Sequence, residues 1–314
     1  MAQIVQYSKF GGPEVLELVE VAEPRASAGE VVVAVRAAGV NPIDWKIRRA
    51  IRPTGPITTP RRPGSDAAGR IVEVGAGVTG WSVGDAVIVL GAAGAYASHL
   101  TATPAQLTRK PDALGWAEAA ALGVPAGTAY QALRSLGLGS ADTLLIHGGS
   151  GSVGQAAIQF ALLDGATVIA TASEPNQARL AELGAIPVVY GPGLVDRIRS
   201  VAPRGVDVVL DAAGTDEALK ASFALVADRS RIGTIVVGRK AAELGIQAWS
   251  GGSPVPLTPE QVELRAAGLR LATELAAAGR FDVEIAAVFP LAEAAAAQEL
   301  SEHGHPRGKI VLLP

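Results

Sequence analysis

Residues 142–164 read DTLLIHGGSGSVGQAAIQFALLD, and the architecture of the chain follows from how this stretch is parsed. An apolar run, 143–146, enters a glycine cluster and a helix-patterned segment leaves it. Gly149, Gly151 and Gly154 fit G-x-G-x-x-G, and Gly148 opens a second spacing through Gly151 and Gly154. Small residues are needed at such a place because the backbone must turn sharply and come close to a pyrophosphate, whose charge then faces the N–H groups of the following helix. With 37 glycines in the chain the motif alone is weak, so its surroundings decide. Val153, Ala157, Phe160 and Ala161 follow i, i+4, i+7, i+8 and give the helix an inner face. A second strand-like run, 166–171, follows Gly165. Strand, glycines, helix and strand thus occupy about 30 residues, the size of a dinucleotide fingerprint.

Composition narrows the classes. A chain of 314 residues, 49% hydrophobic and 18% charged, holds about two domains with large cores. A net charge of −3 gives no electrostatic footprint for nucleic acid. Arg48, Arg49, Arg52, Arg61 and Arg62 do cluster, and read as a solvated loop. The absence of cysteine removes disulfides, thiolate metal sites and cysteine nucleophiles. The N-terminal residues lack the build of a signal peptide, and no apolar run reaches membrane-spanning length, so the expectation is a cytoplasmic protein with no membrane and no nucleic-acid partner.

The first third reads as β-rich, with strands over 31–40, 70–74 and 84–90 between glycine and proline punctuation. Residues 48–63 read as a surface loop. Helical periodicity begins at 116–136, where Gly123, Pro125 and Gly127 predict a break into two pieces. Beyond the glycine motif, helices over 175–183, 194–201 and 215–227 alternate with strands over 186–189, 206–211 and 231–237. Apolar strands spaced by amphipathic helices indicate a parallel sheet covered on both faces. This predicts an α/β chain whose doubly wound domain, 122–265, is inserted in a β-rich domain made of 1–121 and 266–314. Residues 238–259 resist assignment. The tail reads as a helix over 260–278, a strand over 283–288, a helix over 291–303 and a strand over 308–313, and returns to the first third.

Several stretches together resemble the medium-chain dehydrogenase/reductase superfamily, and within it the zinc-independent quinone oxidoreductase (zeta-crystallin-like) branch. They are GVNPIDWKIR (39–48), PGSDAAGRIVEVGAGVTGWSVGDAV (63–87), AAALGVPAGTAYQAL (119–133), HGGSGSVGQAAIQFA (147–161), DVVLDAAG (207–214) and RGKIVLLP (307–314). The resemblance implies a GroES-like catalytic domain around the Rossmann domain, hydride transfer from NADPH to a quinone or to the C=C of an α,β-unsaturated carbonyl, and a homodimer. The superfamily's zinc enzymes carry cysteine where Asn41 stands and histidine where Ser65 stands, which implies that no metal is bound.

The resemblance places Asn41, Asp44 and Trp45 as catalytic residues beside the nicotinamide. Asn41 either donates its amide to an oxygen or, with Pro42, initiates a turn. Asp44 is either a proton donor or a helix cap. Trp45 would wall the acceptor pocket. On the cofactor side the resemblance assigns Thr128, Gly149, Ser150, Gly151, Ser152, Val153, Gly154, Ser173, Tyr190, Ala213, Val237 and Arg239, with a helix N-cap as the second reading of Thr128. An NAD site closes its second strand with an acid for the ribose diol. Here Ala172 holds that position, which favours NADPH, with Ser173 and Tyr190 matching family contacts to the 2′-phosphate. Gln177 stands where the family often has lysine, leaving Arg179 as the substitute cation. Trp249, Pro254 and Pro256 suggest an apolar acceptor. His147 reads as a packed residue, and His303 and His305 lack further ligands at metal spacing. No tyrosine is followed four residues on by lysine, and no G-x-S-x-G elbow fits. The expected function is an NADPH-dependent quinone or enone reductase. Two alternatives stay open: an enoyl or polyketide-intermediate reductase of a biosynthetic pathway, and a non-catalytic NADPH-binding redox sensor.

Overall fold

The computed structural model describes residues 1–51, 55–249 and 255–314. In chain order the first elements are β1 (Ala2–Gln6), β2 (Glu17–Val21), β3 (Val31–Val40), α1 (Pro42–Arg48), β4 (Asp66–Val74), β5 (Ala86–Leu90), β6 (His99–Ala102), β7 (Leu107–Arg109) and α2 (Trp116–Ser135). Then come β8 (Thr143–His147), α3 (Ser152–Leu163), β9 (Thr167–Ala172), α4 (Gln177–Glu182), β10 (Ile186–Val189), α5 (Leu194–Val201), β11 (Val208–Asp211), α6 (Asp216–Leu225), β12 (Ile232–Thr234), α7 (Gly238–Leu244) and β13 (Gln247–Ala248). The tail holds α8 (Pro259–Ala277), β14 (Ile285–Pro290), α9 (Ala294–His303) and β15 (Lys309–Leu313). Two compact units result, one of Met1–Val124 with Leu269–Pro314, the other of Pro125–Gly268. Both junctions fall inside helices, α2 and α8.

In the first unit β1 and β2 form an antiparallel ribbon. The main sheet runs β14-β15-β3-β4-β5-β7, with β6 also on β3. The tail therefore joins the N-terminal third directly, through the antiparallel pair of β15 and β3. Strand β3 is valine-rich and buried along most of its length, because it is paired by β4, β6 and β15. Its core includes Val33, Val35, Ile71, Val89, Tyr96, Ile310 and Leu312.

The second unit is a six-stranded parallel sheet in the order β10-β9-β8-β11-β12-β13. Strand order proceeds outward from β8 in one direction and from β11 in the other, so the topological switch lies between these two. In open α/β sheets ligands bind at that switch, off the carboxyl ends of the strands. Its core is built from Leu145, Ile169, Val209, Ile198, Leu219 and Ile232. Residues 238–259, opaque in sequence, hold α7 and β13 before the segment 250–254, which lies outside the described residues together with Pro254.

One expectation fails. α2 is a single helix through Gly123, Pro125 and Gly127, with Pro125 inside it. Proline removes a backbone donor and crowds the preceding turn. Asp66, at the start of β4, answers the disturbance: both carboxylate oxygens accept the Val124 N–H, at 3.1 and 3.0 Å. The approach requires glycine, since a Cβ on Gly123 would stand 2.4 Å from Asp66 Oδ1.

Candidate functional site

The glycine loop joins β8 to α3. Gly148 turns the chain with φ of 77°, a conformation glycine adopts without penalty. The Gly149 N–H donates to the Thr171 carbonyl at 2.9 Å, tying the loop to β9. The glycines then differ in what confines them. A Cβ on Gly149 would lie 2.8 Å from the Ala170 side chain, and one on Gly154 only 2.4 Å from the Gly148 carbonyl oxygen. Those two serve close packing of helix on strand. Gly151 is different: it sits in extended backbone (φ −71°, ψ 162°), and its Cβ would meet nothing nearer than the Gly148 oxygen at 3.6 Å. The protein itself does not need glycine there.

Gly151 is also the N-cap of α3, and no side chain caps that end. The first-turn N–H groups of Ser152, Val153 and Gly154 have no acceptor within a helix. A bare main-chain surface and unpartnered donors at the positive end of a helix form a cradle for an anion. The residues fit a diphosphate.

Beside the loop, the end of β9 carries the side chains that would meet a ribose. Asn176 reaches both Ser150 Oγ (3.4 Å) and Ser173 Oγ (3.1 Å) with its amide. Gln177 donates to the carbonyls of Ala172 and Ser173, so it seals the strand end instead of offering a cation. The guanidinium of Arg179 lies on Gln155 Oε1, at 3.1 and 3.0 Å, and Gln155 in turn holds the Ser150 carbonyl. Tyr190 is exposed.

Beneath the loop runs a row of buried polar residues in register across four strands: Thr171, His147, Asp211 and Thr234. His147 is packed, as expected. Its Nδ1 pairs with Thr171 Oγ1 at 3.2 Å, and its Nε2 is buried with no hydrogen-bond partner among the described residues. Burial pulls its pKa down to about 4, with the nearby Asp211 charge opposing, so the ring is neutral at pH 7. Asp211 Oδ1 accepts the N–H groups of Ala213 and Gly214, while Oδ2 accepts the Thr234 hydroxyl. Thr234 Oγ1 accepts from Val236 and Val237. Two loops at the carboxyl edge are thereby fixed by one carboxylate. The N–H groups of Ala213 and Val237 are taken up in this way, so neither is available to a ligand. Arg239 lies in the first turn of α7. Thr128 is buried in the middle of α2, which corrects its reading as an N-cap: the helix does not break before it.

The catalytic candidates lie in the first unit. Asn41 precedes α1 in extended backbone, with Pro42 as the first helical residue, so the turn reading holds. Its side chain is buried. Nδ2 donates to Asp66 Oδ2 at 3.0 Å and approaches the Gly39 carbonyl at 3.5 Å, while Oδ1 accepts from Lys309 Nζ. The amide is thus engaged by the protein at both ends, which leaves little for a substrate oxygen. Asp44 caps α1 by accepting the Asn41 N–H at 2.9 Å, and also accepts the Tyr96 hydroxyl at 2.8 Å. Burial pushes the Asp44 pKa up to about 6, against the downward pull of Asn41, Tyr96 and Lys309. Burial likewise raises the Tyr96 phenol and lowers the Lys309 ammonium. Trp45 is half-buried; its Nε1 lacks a partner among the described residues, and Lys46 lies over its ring.

Sequence reading missed Asp66, Tyr96, Lys309 and Asn176. Lys309 left a trace: one cation heading an otherwise apolar strand, KIVLL. Two other expectations are corrected. Arg48 is not solvated but fully buried, donating to Gln298, the Gly11 carbonyl and Glu302, because α9 packs a carboxylate against α1; Arg49 joins the same Glu302. Arg52 lies outside the described residues. Trp249 is buried against Gly233, where a Cβ would meet its ring at 2.4 Å, so it belongs to the core of the second unit and not to an acceptor pocket.

A zinc ion does not fit this donor set. Asn41 is bonded to an ammonium, Ser65 is neutral, and among the described residues no three His, Cys, Asp or Glu side chains gather as ligands. No helix among the described residues is long and apolar enough to cross a membrane.

Comparison with known proteins agrees with this architecture. Residues 27–115 match the alcohol dehydrogenase GroES-like domain, and residues 183–312 match a family described as zinc-binding dehydrogenase. Human quinone oxidoreductase is 31% identical, over 100% of this chain and 98% of its own length. Escherichia coli quinone oxidoreductase complexed with NADPH superposes with a TM-score of 0.84 at 25% identity, covering 99% of this chain and 100% of its own. CurK enoyl reductase gives 0.86 at 25% identity, with 99% of each chain covered. A Rossmann sheet with its glycine loop at the switch point, inserted in the sequence between the two segments of a unit that contains a GroES-like match, in a chain matched end to end by these relatives, identifies the chain as an oxidoreductase of the quinone oxidoreductase family within the medium-chain dehydrogenase/reductases.

Proposed function

We propose that the chain is an NADPH-dependent, zinc-independent reductase that passes hydride to a quinone or to the C=C bond of an enone. The observation that carries this reading is Gly151: an N-cap glycine in unstrained extended backbone, with open space before it and unpartnered N–H groups behind it. Such a residue is glycine for the sake of a ligand that lies against the main chain. The similar E. coli quinone oxidoreductase is solved in complex with NADPH, which supports a reduced dinucleotide as the ligand. When bound, the dinucleotide would supply a hydride to the acceptor, and one proton would complete the reduced product.

The chain's own residues orient and balance. The N–H groups opening α3 hold the diphosphate. Asp211 and Thr234 fix the loops carrying Ala213 and Val237. Ser173, Asn176 and Tyr190 surround the place of the adenosine ribose, and no acid stands at Ala172 to prefer a free diol. Because Gln177 is occupied with carbonyls, the preference for NADPH over NADH rests on the absent acid and on hydroxyl donors, and is expected to be modest, about tenfold. Asp44, poised near neutrality, is the group that holds a proton. The homodimer rests on the family resemblance.

A second reading, an enoyl reductase of a biosynthetic pathway, is favoured by the likeness to CurK enoyl reductase. Following NADPH absorbance against benzoquinone, naphthoquinone, simple enones and enoyl thioesters separates the two. Fast turnover of quinones supports the first reading, and turnover of thioesters alone supports the second. Saturable NADPH binding without oxidation by any acceptor would instead mark a redox sensor. Activity unchanged by a chelator is expected; its loss, restored by zinc, would overturn the metal-free reading.

A further inference from the structure

Lys309 heads strand β15, whose next three residues, Ile310, Val311 and Leu312, are buried hydrocarbon. Its own side chain is 3% exposed. Nζ donates to Asn41 Oδ1 at 2.5 Å and to Asp66 Oδ2 at 3.3 Å. A lysine ammonium only donates, so Asn41 must present Oδ1 to it and Nδ2 to the Asp66 carboxylate, and the amide has one orientation. Asp66 in turn receives Asn41, Lys309 and the Val124 N–H. Asn41 N–H and Tyr96 O–H both converge on one oxygen of Asp44, Oδ2. Its Oδ1 bonds to no described residue. The Asn41 N–H and the Tyr96 hydroxyl therefore hold a single carboxyl group by one oxygen, and Lys309 and Asp66 fix Asn41 in turn.

We propose that Lys309 is the positioning residue of this cluster: its ammonium fixes the Asn41 amide and the Asp66 carboxylate, and its charge offsets that of Asp66 beside Asp44, the group that takes up and returns a proton. The proton leaves Asp44 for the reduced acceptor, and the carboxylate left behind regains one from solvent. The inference rests on the reductase reading only for that last transfer; the arrangement of charges stands without it.

Asp44 is faced by Lys309 from β15, Asp66 from β4, Tyr96 from the segment after β5 and Tyr7 from the segment after β1. Burial raises its pKa to about 6. Lys309 pulls it down and Asp66 pushes it up. Removing these two neighbours one at a time must therefore move Asp44 in opposite directions, and the pH profile of turnover must follow, which a purely structural salt bridge would not cause.

The test titrates the Asp44 carboxyl by NMR in the ligand-free full chain, for wild type, Lys309→Met, Asp66→Asn and Lys309→Arg. The midpoint should rise by about one pH unit in Lys309→Met, fall by a similar amount in Asp66→Asn, and stay near wild type in Lys309→Arg. If Lys309→Met does not fold, the double variant with Asp66→Asn removes both charges at once, and its midpoint must lie above that of Asp66→Asn alone. In the kinetic arm, the pH profile of kcat with NADPH and benzoquinone should shift with the same signs. Midpoints that do not move, or move the same way in both single variants, would overturn the proposal. Shifts of the expected signs in a protein that binds no NADPH would keep the positioning role and reject the reductase reading instead.

Discussion

Alanine in place of Gly151 and of Gly154, introduced separately, should damage two different properties of the same loop. At Gly151 the backbone angles suit any residue, and the added methyl finds its nearest neighbour at 3.6 Å. Stability should therefore change by no more than about 0.5 kcal/mol. The methyl would, however, stand where the diphosphate approaches. Losing one charge-assisted contact to the helix N–H groups costs about 1.5–3 kcal/mol, a weakening of roughly ten- to a hundredfold. At Gly154 the methyl would lie 2.4 Å from the Gly148 oxygen and 2.7 Å from Gly149 Cα, both backbone atoms that cannot step aside. Overpacking of this kind costs about 1–3 kcal/mol, and for a unit of this size each kcal/mol lowers Tm by about 2–4 °C. Thermal melting and NADPH fluorescence titration on the same preparations decide the matter. Gly151→Ala should melt like wild type and bind poorly, while Gly154→Ala should melt early. A Gly151→Ala protein that binds NADPH as tightly as wild type would refute the cradle.

Other outcomes follow from the buried charges. His147 is held neutral down to about pH 4, whereas the unfolded chain takes a proton near the ordinary value of 6.5. Its contribution is present above pH 6.5 and is lost as pH falls from there to about 4, about 3 kcal/mol in all. His147→Gln should flatten the acid limb of a Tm-against-pH curve, and an unchanged limb would contradict the assignment. Arg48→Met leaves Glu302 buried with Arg49 and the His303 ring as its remaining partners and should destabilise by about 3–5 kcal/mol in chemical unfolding; a loss within error would mean that the pair is not held as described. Gly123→Ala drives a methyl into the Asp66 carboxylate, so the Val124 N–H should lose protection from hydrogen exchange. Protection equal to wild type would show that α2 does not depend on Asp66.

Local pattern made much of this fold legible. The valine run of β3 and the amphipathic turn pattern of α5 appear over the residues their periodicity marks, because burial on one or both faces is written in residue order. The glycine loop was legible for the same reason: strand, turn and helix are contiguous in sequence. What could not be read depends on partners far along the chain. The continuity of α2 depends on Asp66, some 58 residues away. The burial of Arg48 depends on α9, some 250 residues away. The occupied amide of Asn41 depends on Lys309, which is 268 residues distant. Each of these polar side chains looks solvated or catalytic until its partner is placed beside it. The β9 end shows a subtler limit. In sequence Gln177 reads as a missing cation, yet its amide closes the strand, a role that local sequence does not distinguish from phosphate binding.

The central claim is that a reduced dinucleotide rests its diphosphate on the bare backbone at Gly151 and passes its hydride to an acceptor. Titrating wild-type protein and Gly151→Ala with NADPH, then adding benzoquinone and following loss of the reduced nicotinamide absorbance, addresses both halves at once. Saturable binding and rapid oxidation by wild type, both severely weakened in the variant, is the result expected; wild-type protein that shows no saturable binding of NADPH or NADH would contradict the account.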